Sequence, residues 1–324
     1  MVRISLLYVS RIVPSFGNVH LCETSIEDEV VWLYIKRSHM KALSKKYPNT
    51  ISYLLALILF ALALMISVIA NKGIIKAYFP FIAVIALTVA TWYLYKRENK
   101  SLIEIGLNFN VKNLLLLPLG VLIAAGTFLF AKYVRAIVLG ETLQISSEIN
   151  VQTILFAFYF ILPTVAVEEF LFRGYLFKKT VELGSVVKAN ILFAVLFTLI
   201  HVMDDQVLNS PGIIVLLIIS IPCGHLLFAT AMLKSKSIYF PIGLHLGNNW
   251  ATRHLVSGSA DGHSIFYVTD ATTFDTWTRF ILFLLLWNSI FLGVTFLIWK
   301  WDKIPFFNLK KGKIKLLANE KQEL

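Results

Sequence analysis

The run Val167-Glu168-Glu169-Phe170-Leu171-Phe172-Arg173 sets two carboxylates and a guanidinium inside an otherwise apolar stretch. On a helix, Glu169 and Arg173 are four residues apart, share a face and can pair. Glu168 is turned by about 100° from its neighbour, so one carboxylate is balanced locally and the other is left unassigned. Phe197-Thr198-Leu199-Ile200-His201 closes a second apolar stretch, and His245-Leu246-Gly247-Asn248-Asn249 lies in a third. His245 and Asn249 share a helical face, and Gly247 between them lets another helix approach closely. These side chains suit the addition of water to a carbonyl. A desolvated glutamate serves as general base or acid, and an imidazole orients and polarises the water. An Asn amide and a second imidazole donate hydrogen bonds to the developing oxyanion. Each group also has a plainer role. The charged cluster can lie at a helix end and reach for headgroups, His201 can be interfacial, and His245 and Asn249 can make ordinary interhelical hydrogen bonds.

Of the 324 residues, 57% are hydrophobic and only 15% charged. That apolar excess must face something other than water, and lipid is the simple answer. The predicted fold is all-α, a polytopic membrane bundle of about eight helices. Apolar segments fall near 50–70, 78–95, 114–134, 154–177, 187–203, 211–233, 238–256 and 279–299, set against the roughly 20 helical residues that cross a bilayer. The net charge of +11 is not a nucleic-acid footprint, because Lys and Arg cluster beside the apolar runs. Lys178, Lys179 and Lys188, or Lys234 and Lys236, alternate with poorly charged connections such as Asp204-Asp205. By the positive-inside rule both termini are then cytoplasmic. Three parts follow: a basic extension over 1–49, a membrane domain over 50–302 with its motifs between 150 and 255, and a basic tail over 303–324. The segment 96–113 reads as interfacial and the stretch after residue 256 as an external loop, with Arg253 and His254 at that interface. Cys22 and Cys223 are too far apart in character for a disulfide framework, and neither a cleaved leader nor a lipid anchor is expected.

Depth joins the motifs. Counting from the basic residues at about 1.5 Å per residue, Glu168 lies roughly 15 Å from Lys178 and His201 roughly 20 Å from Lys188. His245 and Asn249 lie roughly 13 and 20 Å from Lys236. Three helices thus place polar groups in one layer, whereas independent snorkelling would send them to the edges.

The ordered set Glu168-Glu169-x-x-x-Arg173, Phe197-x-x-x-His201 and His245-x-x-x-Asn249 resembles the three motifs of the type II CAAX prenyl endopeptidase family, also called the CPBP or ABI family. The stretch from Gly224 through Pro241, with its Lys-Ser-Lys-Ser-Ile hinge, is also similar. The resemblance implies an eight-helix intramembrane glutamic endopeptidase in which Glu168 and His201 activate water. His245 and Asn249 would form the oxyanion hole, and Glu169 and Arg173 would support the site. The expected partners are the bilayer and a membrane-associated peptide or protein, prenylated or bacteriocin-like. The expected location is a bacterial plasma membrane. No cofactor is expected. The alternative enzyme is a zinc hydrolase with Glu168, His201 and His245 as ligands. The alternative class is a scaffold, immunity factor or proton-linked transporter using the same polar layer. His225 is one further ionisable residue inside an apolar segment, either a helix–helix contact or a neighbour of the site.

Overall fold

A computed structural model describes residues 46–203, 205–258 and 262–303. The chain divides into two units, Met1–Ile51 and Ser52–Leu324. Of the first, only the residues from Lys46 onward are described, so most of the basic extension lies outside the described residues, as do Cys22, Asp204 and the tail beyond Lys303.

Helices dominate, in the order α1 (Pro48–Ala70), α2 (Gly73–Tyr78), α3 (Ile82–Arg97), α4 (Val111–Leu114), α5 (Leu116–Leu139), α6 (Val151–Arg173), α7 (Tyr175–Leu183), α8 (Val186–Val202), α9 (Asp205–Leu208), α10 (Pro211–Ser235), α11 (Tyr239–Trp250) and α12 (Trp277–Lys300). Side-chain caps mark several starts. Asn150 accepts from the Thr153 amide, Ser185 from Lys188 and Thr276 from Arg279, each satisfying an amide that the helix itself cannot. Pro163 and Pro222 sit within α6 and α10, as membrane helices tolerate.

Five helical stretches are long and apolar enough to cross a bilayer: Pro48–Ala70, Val111–Leu139, Val151–Leu183, Pro211–Ser235 and Trp277–Lys303. Their outward faces stay greasy, with Val68, Leu122, Leu282 and Phe296 all exposed. In water such faces would have to be covered, so the chain is an integral membrane protein. The other three expected spans are present as shorter helices. α3 has 16 residues, α8 has 17 and α11 has 12. At 1.5 Å per residue even α8 reaches only about 25 Å, short of the hydrocarbon thickness.

Two features depart from the expectation of an uninterrupted helical bundle. The expected span 154–177 breaks at Gly174 into α6 and α7. A Cβ built there would lie 2.2 Å from the Phe170 carbonyl oxygen, so only glycine lets the chain turn this sharply. A small sheet also interrupts the helices, β1 (Thr142–Ile145), β2 (Val256–Ser257) and β3 (Phe266–Thr269), in the order β1-β3-β2. β1 and β3 are antiparallel with Leu143 opposite Val268, and β2 runs parallel to β3 with Val256 opposite Phe266. It forms within what reads from sequence as an irregular external loop. His254 belongs to that structure, with Nδ1 2.9 Å from the His263 carbonyl, while Arg253 is exposed. Arg135 clasps Glu141 through two hydrogen bonds of 2.8 and 2.6 Å, and Glu141 accepts from the Thr272 amide at 3.0 Å. This anchors the sheet's flank to the end of α5.

α11 is the helix that positions the site, packed on α5, α6 and α10. Gly243 and Gly247 put its backbone directly on that of α5. A Cβ at either would come within 2.2 Å of the Leu117 carbonyl or 2.5 Å of the Val121 carbonyl. Two residues from each glycine, His245 is rotated about 200° around the helix and points away from α5.

Candidate active site

α6 delivers Glu168, Glu169 and Arg173 in its last two turns, immediately before the break at Gly174. The cluster does lie at a helix end, but it does not reach for headgroups. The side chains of Glu169 and Arg173 are wholly buried. Arg173 Nη1 donates to Glu169 Oε1 at 3.1 Å, the local pairing that the four-residue spacing predicts. Because the helix stops at Arg173, the ruler from Lys178 back to Glu168 is not a continuous helix, and that part of the depth estimate is corrected.

Across from α6, the imidazole of His245 meets both carboxylates. Nδ1 is 2.8 Å from Glu169 Oε1, and Nε2 is 3.7 Å from Glu168 Oε2. The expected divergence of the two glutamates is therefore bridged by one ring. A carboxylate held by a guanidinium on one side orients the imidazole on the other. Glu168 retains slight exposure, its side chain being 21% accessible, while its Oε2 is buried without a hydrogen-bond partner among the described residues. Two glutamates, an arginine and a protonated His245 sum to zero net charge. That neutrality removes much of the cost of burying the group in a low-dielectric interior.

Aromatic rings close the cluster. The Arg173 guanidinium carbon lies 4.3 Å from the Phe197 ring centre and 5.1 Å from that of Phe228, a cation–π enclosure. Phe228 stacks on His245 at 4.7 Å with 17° between the planes. Phe197 meets Phe172 at 4.8 Å, His201 edge-on at 4.7 Å and His245 at 6.1 Å. His201, half-buried, has Nδ1 2.7 Å from the Phe197 carbonyl oxygen, which ties the ring back onto α8. It joins the cluster through this shared phenylalanine and makes no hydrogen bond to Glu168. Asn249 is half-buried one turn beyond His245, and its carboxamide makes no hydrogen bond among the described residues. The structure thus gathers Glu168, Glu169, Arg173 and His245 by direct contact. It places His201 beside them by way of Phe197, and Asn249 on the adjoining turn.

Sequence reasoning passed over the aromatic wall. Phe197 stood in the second motif as a spacer, and its spacing of four from His201 was the available signal. Phe228 had none, because a phenylalanine in an apolar helix looks like any core residue. No three His, Cys, Asp or Glu side chains among the described residues are grouped as a metal would require, so Glu168, His201 and His245 do not form a ligand set here.

Residues 150–251 match the model of a protein family described as Type II CAAX prenyl endopeptidase Rce1-like. Comparison with curated proteins and with solved structures gave no match. The matched segment runs from the cap of α6 to the end of α11 and contains every residue of the cluster.

Proposed function

From a chain that belongs, through residues 150–251, to the type II CAAX prenyl endopeptidase family, we propose an intramembrane endopeptidase that works by glutamate-activated water. Glu168 takes a proton from the water as it attacks the scissile carbonyl and returns it to the leaving amine. His201, across the Phe197 ring, helps hold that water. His245 in its protonated form donates Nε2–H toward the oxyanion, joined by the Asn249 amide. Glu169 and Arg173 keep the imidazole protonated and aimed. The observation that carries this proposal is the His245 ring held between two carboxylates at 2.8 and 3.7 Å. It fixes one ring nitrogen on the structural side and leaves the other facing Glu168.

The substrate is a membrane-associated peptide or protein whose scissile bond enters the bilayer, with a lipid-modified tail as the first class to test. The eight helices α1, α3, α5, α6, α8, α10, α11 and α12 together form the membrane domain, the three short ones standing inside the bundle, with both termini cytoplasmic. No metal takes part in this mechanism. Purified full-length protein, dialysed against chelator and assayed on a lipidated peptide, tests it. Retained cleavage without stoichiometric zinc supports the glutamate mechanism, and activity lost with the metal and restored by zinc rejects it. A scaffold or transporter would use the same charges but release no cleaved product from any tethered peptide.

A further inference from the structure

His225 is the buried ionisable group that this mechanism leaves unused. It is completely inaccessible on α10, and neither ring nitrogen has a hydrogen-bond partner among the described residues. Buried polar atoms almost always find partners, and a neutral imidazole offers one donor and one acceptor.

Its surroundings point in one direction. The His225 ring meets Phe177 edge-on, with centres 6.0 Å apart. Phe228, three residues further along α10 and so on the same face, lies 5.1 Å from the Arg173 guanidinium carbon. Phe177 follows Arg173 by four residues across the break at Gly174. The pair His225/Phe228 therefore faces the pair Arg173/Phe177. Arg173, also completely inaccessible, uses Nη1 on Glu169 and has Nε and Nη2 without partners among the described residues. Donors and an acceptor are thus enclosed together on the side of the guanidinium away from Glu169, with no protein group to join them. Internal water commonly fills that role, making about three hydrogen bonds per molecule.

We propose that His225 and Arg173 hold an internal water site behind the carboxylate pair, and that His225 is a positioning residue acting through that water on Arg173 and Glu169. The water accepts from an Arg173 N–H and donates to the unprotonated nitrogen of His225. It fixes the rotation of the guanidinium and so the carboxylate that orients His245. This rests on the proposed role of the cluster for its catalytic consequence, but the water site itself does not.

The test uses the full chain in lipid nanodiscs as wild type, His225→Leu and His225→Gln, with thermal unfolding as the check on folding. A density map that resolves ordered water is expected to show a peak bridging Arg173 and position 225 in the wild type and in His225→Gln, and none in His225→Leu. On a cleavable lipidated peptide, His225→Leu is expected to lose about five- to tenfold in kcat with KM unchanged, the scale of one water-mediated hydrogen bond, and His225→Gln to recover it. A dry space between Arg173 and His225 in the wild type overturns the proposal, as does a His225→Leu variant with unaltered kcat. If the wild type cuts nothing, the proposed protease activity fails, while the map still decides the water site.

Discussion

His245 Nδ1 and Glu169 Oε1 lie 2.8 Å apart, and the same oxygen accepts from Arg173 at 3.1 Å. One carboxylate oxygen therefore joins a helix-terminal arginine on α6 to a histidine on α11, and it divides the two glutamates by task. Glu169 holds the geometry, while Glu168, reached only at 3.7 Å, is left able to move a proton.

Substitution should separate those tasks. Glu168→Gln is expected to abolish cleavage while leaving the thermal unfolding midpoint close to wild type. Glu169→Gln leaves Arg173 buried without its counter-charge, for which a cost of about 3–5 kcal/mol is typical. Its unfolding midpoint should fall sharply, together with activity. Unfolding and cleavage measured on the same detergent-purified samples check both.

The glycine contacts make a second prediction. Gly243→Ala or Gly247→Ala drives a methyl into the α5 backbone, at 2.2 and 2.5 Å from carbonyl oxygens. Overpacking of this kind costs about 1–3 kcal/mol, and here it also shifts His245 and Asn249 away from α6. Stability should fall moderately and kcat more steeply. Alanine at Gly126 or Gly293, where a Cβ meets nothing within 4 Å, should do neither.

The aromatic enclosure carries a third. Phe197→Leu removes the ring that faces Arg173, His201 and His245 together. Activity is expected to drop by more than tenfold with a modest loss of stability, and Phe197→Tyr to retain more of both. Kinetics on a tethered peptide, with the unfolding midpoint as control, distinguish loss of the ring from loss of the fold.

Acid should loosen the far end of the bundle first. Burial raises the Glu141 carboxyl, but its hydrogen bonds from Arg135 and the Thr272 amide, with the nearby positive charges, outweigh that and hold it below its ordinary 4.5. A carboxyl with a depressed folded value contributes stability that is present above its unfolded value and lost as pH falls through the folded one. The difference in unfolding midpoint between wild type and Glu141→Gln should therefore be full near neutrality and shrink below about pH 4.5. Hydrogen exchange at Thr272 should rise over the same range.

What the sequence could convey was chemistry and its order along the chain. Glu168, Glu169, Arg173, His201, His245 and Asn249 stand out because ionisable and amide groups are rare in apolar runs, and the pairing of Glu169 with Arg173 follows from helical spacing alone. Periodicity cannot report where a helix stops for a steric reason. The break at Gly174 depends on how closely its Cα approaches the Phe170 carbonyl, and the sequence on either side continues apolar. Nor can it pair β1 with β3, more than a hundred residues apart, when each strand has only four residues. The bridging of both glutamates by His245 also lay beyond it, because rotation about α6 separates them and only the position of α11 brings one ring within reach of both.

Incubation of purified wild-type and Glu168→Gln protein in bilayers with a lipid-anchored peptide, with products identified by mass, tests the central claim most directly. The expected result is a single internal cut made by the wild type and absent from an equally stable Glu168→Gln protein. Equal cleavage by both, or a cut that appears only when zinc is supplied, would contradict it.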